Sequence, residues 1–395
     1  GENMLVPKLR FKEFYDDWII YKFYDLVTIT NGQVNPNDML YCKLPHIGPG
    51  NIEKNTGRLL QYNLAKDDKL ISSKYLFDEK SVIYGKINPQ FAKVCFPKFR
   101  GLCSADAYPL NPSNDKLNSA FLLYLLLNKN FTKFAISVSM RTGMPKINRE
   151  ELSMYKFKVP SIIEQEKIAN FLSLLDKKIE LQQRKIEALK IYKKGLFNKI
   201  YIENLQEVEE IQLKEYAYLQ GGYAFKSELF SKCGIPIIRI SNIKENEIDL
   251  KDIVLYDKDI EIDSKFKINY GDILIAMSGA TTGKIGIYKN KMYSYLNQRI
   301  GKIVLKRKGI IYSYLYFLFE LESYNTQLKS RLVAGAQPNI SPSDIESLRF
   351  KMPSIKEQEQ IVNITKSINE KIIKNEKKLQ DLNNFKKGLL QKMFI

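Results

Sequence analysis

Residues 157–170 read FKVPSIIEQEKIAN, and residues 350–363 read FKMPSIKEQEQIVN. The same offset of 193 positions carries Lys193-Lys194-Gly195-Leu196 onto Lys386-Lys387-Gly388-Leu389. Over 157–202 against 350–395, about 20 of 46 aligned positions are identical, a self-similarity that decides the architecture before any local reading. The period is far too long for a solenoid, and the copies are two. The chain is therefore a tandem of two similar halves, each a globular region followed by one long helix.

The spacing inside the repeat says what kind of helix it is. From Ile168 onward, seam residues fall at 168, 172, 175, 179, 182, 186, 189, 192, 196 and 200, a 3–4 alternation with one irregularity near 192. The second copy places Ile361, Thr365, Ile368, Ile372, Asn375, Leu379, Leu382, Phe385, Leu389 and Met393 on the same seam. Ser161 and Ser354 precede Glu164 and Glu357 by three residues, the S-x-x-E box that satisfies orphan N–H groups at a helix start. Roughly 39 residues at ~1.5 Å rise make a rod near 58 Å long. If the two helices pair, they most simply pair antiparallel, giving a dumbbell with an approximate two-fold across its handle. Gln182 and Asn375 share one seam position near the middle. The expectation is that they meet there and specify register, because a slip would leave their amides unpaired in an apolar layer.

At 395 residues the chain is long enough for two domains with proper cores, and its 44% apolar content is ordinary for a soluble protein. No early stretch has a signal-peptide layout, and the densest apolar run, Leu122 to Leu127, is too short to span a bilayer. The cytoplasm is expected, with no membrane contact. Cys42, Cys95, Cys103 and Cys233 form no C-x-x-C pair and read as free thiols. The net charge is +18, from 62 Lys+Arg against 44 Asp+Glu, which favours a polyanionic partner. No basic amphipathic helix with an aromatic face points to membrane, so nucleic acid is the expected partner.

The boundaries read as a tail over 1–15, a first globular domain over 16–158, a first spacer helix over 159–207, a second domain over 208–351, and a second spacer over 352–395. Short alternating apolar segments bounded by turn formers mark strands at 80–84, 91–96 and 105–110, and again at 235–240, 272–277, 284–288 and 301–305. Apolar helical runs follow at 116–127 and 310–321. The fold class is mixed α/β, strand-rich, repeated. Leu44-Pro45-His46-Ile47 with Asn51-Ile52 matches Ile235-Pro236-Ile237-Ile238 with Asn242-Ile243, and 142–147 loosely matches 335–340. Elsewhere the halves diverge, as two recognition modules of one type would if they read different things.

The missing chemistry is informative. One histidine, His46, allows no His-cluster metal site. Ser278-Gly279-Ala280-Thr281-Thr282-Gly283-Lys284 fails the phosphate-loop pattern: three residues separate the glycines and Ile285 follows the lysine. It reads as a strand-to-strand turn. No Pro-Pro dipeptide and no G-x-G-x-x-G fingerprint exist, so no catalysis, cofactor or metal is expected on this chain. Candidate DNA contacts are polar and cationic residues on or beside turns. In the first domain these are Lys86, Asn88, Gln90, Arg141, Thr142 and Lys146. In the second they are Ser278, Thr281, Thr282, Lys284, Gln298, Arg299, Gln337 and Asn339.

With these residues in hand, the chain resembles the specificity subunits of Type I restriction–modification systems. The resemblance rests on Pro7-Lys8-Leu9-Arg10-Phe11 with Phe14 and Trp18, on Leu26 and Gly32, and on the two Pro-Ser-x-x-Glu-Gln-x-x-Ile segments. Those run Pro160–Ile168 and Pro353–Ile361, each with its helix ending in Lys-Lys-Gly-Leu. The resemblance implies two target recognition domains held apart by an antiparallel helical spacer, each reading one half of a split site in double-stranded DNA. It implies two modification subunits that bind S-adenosylmethionine and methylate adenine N6, and restriction subunits that use ATP and Mg²⁺ to translocate and cut. Two other readings stay open: a coiled-coil scaffold or other DNA-binding protein with no restriction–modification role, and a nuclease with its own metal site. A salt-titrated DNA-binding assay separates the first, and DNA cleavage by the chain alone with Mg²⁺ the second.

Overall fold

The computed structural model describes residues 6–139, 143–244, 247–332 and 339–395. The chain divides into two compact units, residues 1–184 with 376–395, and residues 185–375. Both long helices form, as Ile162–Lys199, continued by a π-helical turn over Ile200–Asn204, and Ile355–Met393. Each unit thus takes the start of one long helix and the end of the other, the pairing expected of antiparallel partners.

In the first unit an antiparallel sheet has the order Val27–Ile29, Ala107–Pro112, Val82–Gly85, Val94–Cys95. Val82–Gly85 is buried along its length, which is why its sequence is a continuous apolar run rather than an alternation. A second sheet runs Asn63–Leu64, Pro45–Ile47, Gly101–Cys103, Tyr75–Phe77, and its middle pair is parallel. The helix Ser119–Leu127 is apolar on all sides because Phe121 to Leu127 are all buried, and Asn118 caps it by accepting from the N–H groups of Ala120 and Phe121. Strand Ile19–Lys22 pairs antiparallel with Lys156–Val159, which leads through Pro160 into the first long helix. There Ile168, Leu172, Leu175 and Ile179 share a core with Leu379, Leu382, Leu389 and Met393.

The second unit repeats this plan. Its antiparallel sheet runs Ala217–Gly221, Ile300–Leu305, Ile273–Ala276, Ile285–Ile287. Its second sheet runs Phe230–Ser231, Val254–Tyr256, Ile235–Ile238, Ser294–Leu296, Lys267–Ile268, again with a parallel middle pair. Helix Tyr312–Glu320 stands where Ser119–Leu127 stands in the first. Strand Glu210–Gln212 pairs with Arg349–Lys351 ahead of the second long helix. The expected strands and helices are present, except that the segment read as a strand over 91–96 is strand only at Val94–Cys95. Asn88, Ala92 and Lys98 around it have positive φ, which breaks the ladder.

The repeated Pro-Ser-x-x-Glu-Gln motif is explained mostly by its glutamine. Gln165 is fully buried; its carbonyl accepts from the Asn118 N–H at 2.9 Å and its amide donates to Lys116 and Pro160 carbonyls. Gln358 does the same with the Ile311 N–H and the Gly309 and Pro353 carbonyls. Each thereby ties a long helix to the short helix beneath it. The capping box is complete only in the second copy, where the Ser354 N–H donates to Glu357 at 2.9 Å and the Glu357 N–H to Ser354 Oγ at 3.4 Å. In the first copy Glu164 instead takes both arms of the Arg10 guanidinium at 2.8 Å, a charge-assisted fork stronger than a cap.

The seam follows the expected spacing up to its irregularity. Tyr192 and Phe385 are exposed, at 61% and 56%. Burial shifts to the next residue in both copies: Lys193 pairs with Glu320 at 2.5 Å, and Lys386 with Asp176 at 2.5 Å and the Thr56 carbonyl. Of the off-seam residues Phe171, Leu174, Leu181, Ile191 and Phe197, expected to be uncovered, Phe197 is buried in the second unit's core against Phe317. Phe171 is edge-on to Phe11 of the tail at 5.8 Å, while Leu174, Leu181 and Ile191 are exposed.

Candidate nucleic-acid interface

In the second unit the site grows from the end of the buried strand Ile273–Ala276. The Met277 N–H donates to the Arg299 carbonyl at 3.0 Å, the Ile340 N–H donates to the Met277 carbonyl at 2.8 Å, and Ser278 forms an isolated antiparallel bridge with Asn339. These bonds bring Ser278, Gln298, Arg299 and Asn339 around one open pocket floored by Met277 and Ile340. Ser278 is 8% exposed and its hydroxyl has no hydrogen-bond partner among the described residues, while Gln298, Arg299 and Asn339 are exposed.

The neighbouring turn folds as expected. Gly283 has φ +80° and a Cβ there would lie 2.3 Å from Leu328 Cδ2, so only glycine fits. Thr281 donates its hydroxyl to the Ile240 carbonyl at 3.0 Å and Thr282 to the Gly279 carbonyl at 2.6 Å. Each therefore offers a partner only acceptor lone pairs. Lys284 is exposed, with its backbone locked into the turn. Gln337 lies outside the described residues.

The first unit has the same frame. The Lys86 N–H donates to the Asp106 carbonyl at 3.0 Å, the Ile147 N–H donates to the Lys86 carbonyl at 3.0 Å, and Ile87 bridges Lys146. Asn88 adopts φ +53° and its N–H donates to the Pro145 carbonyl at 2.8 Å. Lys86, Asn88 and Lys146 are thus together, with exposed Gln90 weakly linked to Asn88 at 3.4 Å; Arg141 and Thr142 lie outside the described residues. The Lys86 ammonium sits 5.2 Å over the Tyr108 ring, which also takes the Arg149 guanidinium at 5.1 Å. Burial and then the Lys146 charge pull the Lys86 pKa below the usual lysine value, against the opposing pull of Asp106.

Arg149, Asp106 and Lys93 also stand in this frame and are not among the sequence candidates. Arg149 begins a short helix and carried no turn signal, and Asp106 is an acidic residue in a search for cations. Lys93 is the frame counterpart of the candidate Lys284: the Gly85 N–H donates to its carbonyl as the Ala276 N–H donates to that of Lys284. On the long helices Gln182 is buried, and Asn375 is half-buried with its amide donating to the Lys371 carbonyl one turn back.

Among the described residues no group of three or more His, Cys, Asp or Glu could hold a metal ion, and no helix is long and apolar enough to cross a membrane. The four cysteines are free.

A family profile described as the Type I restriction modification DNA specificity domain matches residues 15–190 and 206–384. The Type I restriction enzyme MjaVIII specificity subunit of Methanocaldococcus jannaschii is 23% identical over 410 positions, covering 96% of this chain and 94% of that protein. The EcoDI specificity subunit of Escherichia coli is 34% identical over 153 positions, 39% of this chain and 33% of that one. Among solved structures, the S subunit of a Type I restriction–modification system from M. genitalium aligns over 99% of both chains with TM-score 0.57 and 18% identity. A chain from a study of complex assembly and conformational transition in the type I R-M system aligns over 94% of this chain and 96% of that one, with TM-score 0.59 and 13% identity. The structural likenesses establish the fold.

Proposed function

Because the chain belongs to the Type I restriction–modification DNA specificity family, we propose that it reads a bipartite target in double-stranded DNA, one half with each globular unit. Partner subunits then methylate adenine or restrict the DNA. The observation that carries this reading is the duplicated frame: the same backbone bonds at 86–87, 106 and 146–147 and at 277–278, 299 and 339–340 present different side chains. A conserved frame with exchanged side chains is what two readers of different sequences require. The +18 charge supplies the attraction to phosphate that positions such readers without naming a base.

The chemistry falls to partners: S-adenosylmethionine on two modification subunits, and ATP with Mg²⁺ on restriction subunits. Leu174, Leu181 and Ile191 on the first long helix and Ile364 and Ile373 on the second are exposed apolar residues on helices, the kind of surface that added helices cover. The modification subunits dock there. Gln182 with Asn375 fixes the register of the spacer, and a double-mutant cycle tests that pairing: coupling above ~0.5 kcal/mol supports it, and additivity within ~0.3 rejects it.

The test of the whole reading is a salt-titrated binding assay of the chain with its modification subunits, combined with mapping of methylated sites. A split methylated motif and a steep linear fall of log affinity with log salt are expected. Binding without salt dependence, or methylation with no split motif, would reject it.

A further inference from the structure

The frame makes five positions equivalent in the two units: Lys86 with Met277, Ile87 with Ser278, Ala105 with Gln298, Asp106 with Arg299, and Lys146 with Asn339. At one of them the charge is inverted. Asp106 and Arg299 each give their carbonyl to the residue leaving the central strand at 3.0 Å, so their Cα atoms are fixed at the same place in the frame. Both side chains are exposed. The surroundings differ to match. Among the described residues, Arg299 shares its pocket with Gln298, Asn339 and Ser278, and no carboxylate lines it. Asp106 stands beside cations instead: its carbonyl accepts from the Lys86 N–H, Lys146 bridges the next residue, Ile87, and the Lys86 ammonium shares the Tyr108 ring with the Arg149 guanidinium.

Resting on the reading of this chain as a DNA specificity subunit, we propose that Asp106 and Arg299 are specificity-determining residues that read base edges of opposite polarity. Arg299 donates through its fork to guanine O6 and N7. Asp106 accepts from the exocyclic amino group of a cytosine or adenine. A carboxylate on a face that meets DNA is repelled by phosphate, so at Asp106 a base amino group is the favourable partner, while Lys86, Lys146 and Arg149 around it answer the backbone. In the second unit Ser278, Gln298 and Asn339 supply mixed donors and acceptors beside the arginine, which completes a polar edge-reading set.

The test expresses the full complex, this chain with its modification subunits, in cells lacking other adenine methylation, sequences the methylated sites, and titrates DNA binding by the purified complex with salt. Arg299→Ala is expected to lower discrimination roughly 5- to 150-fold at one base pair of one half-site and leave the other half intact. Asp106→Ala is expected to do the same at one base pair of the other half. Arg299→Lys and Asp106→Asn cover the case in which an alanine variant fails to assemble. Lysine keeps the charge but loses the fork, so discrimination falls while the salt slope holds. An unchanged motif methylated more slowly, with a shallower salt slope, would make Arg299 a phosphate contact and overturn the proposal. Relaxation of both halves by one substitution would overturn it too. A wild-type complex with no split motif would instead remove the reading beneath it, and the proposal with it.

Discussion

Lys193→Met should destabilise the second unit severely. Lys193 Nζ lies 2.5 Å from Glu320 Oε1, with the two side chains 16% and 4% exposed, and Glu320 Oε2 is buried with no hydrogen-bond partner among the described residues. Burial already raises the Glu320 pKa, and Lys193 is the largest influence holding it down. Removing the ammonium strands a buried carboxylate, at a cost of about 3–5 kcal/mol. An exposed pair such as Arg184 with Glu180 is worth only ~0.3–0.5 kcal/mol, so Arg184→Ala is the control. The sign with pH follows from the raised pKa. The folded state holds the Glu320 proton above the ordinary carboxylate value of 4.5, where the unfolded state has lost it, so stability falls as pH rises through that window. Lys193→Met extends the window upward, so its penalty is smaller at about pH 5 than at about pH 8. Lys193→Met with Glu320→Leu replaces the pair by apolar groups and should return to within ~1 kcal/mol of the parent. Amide exchange reads this unit by unit, following Tyr314 to Phe319 in the second and Phe121 to Leu126 in the first as reference. A Lys193→Met penalty no larger than that of Arg184→Ala, or one equal at both pH values, would refute the reasoning.

Gln358→Leu should lower the protection of the second unit's short helix by ~2–4 kcal/mol, because it strands the Ile311 N–H and two carbonyls; amide exchange at Ile311 checks this. Four residues inserted near Gln183 add ~6 Å of helix, comparable to nearly two base-pair steps of ~3.4 Å. The unread gap in the methylated motif should lengthen or the complex should fail to assemble, and mapping of methylated sites distinguishes these from an unchanged gap. Leu181→Glu with Ile191→Glu should reduce the number of modification subunits bound at saturation below two, read by the mass of the complex.

Much of this architecture was legible because its signals are local and doubled. The offset of 193 exposed the long helices, and short apolar runs bounded by turn formers exposed Val82–Gly85 and Ile273–Ala276. What stayed hidden depends on contacts distant in sequence. The parallel pairing of Pro45–Ile47 with Gly101–Cys103 joins segments more than fifty residues apart, and no local pattern announces it. The seam at Tyr192 could not be resolved from spacing, since burying Lys193 instead requires Glu320 from another helix. At the candidate site, polarity beside turns picks out Arg299, Lys146, Thr281 and Thr282 alike, and only the structure shows that the two threonine hydroxyls donate to nearby carbonyls. Asp106 emerged only when the two frames could be compared bond by bond.

The central claim is that each globular unit reads its own half of the target. Replacing residues 208–351 with those of a relative, and sequencing the adenine methylation directed by the resulting complex, tests it most directly. One half of the motif should change while the other half stays as in the parent. A change in both halves, or in neither, would contradict the account.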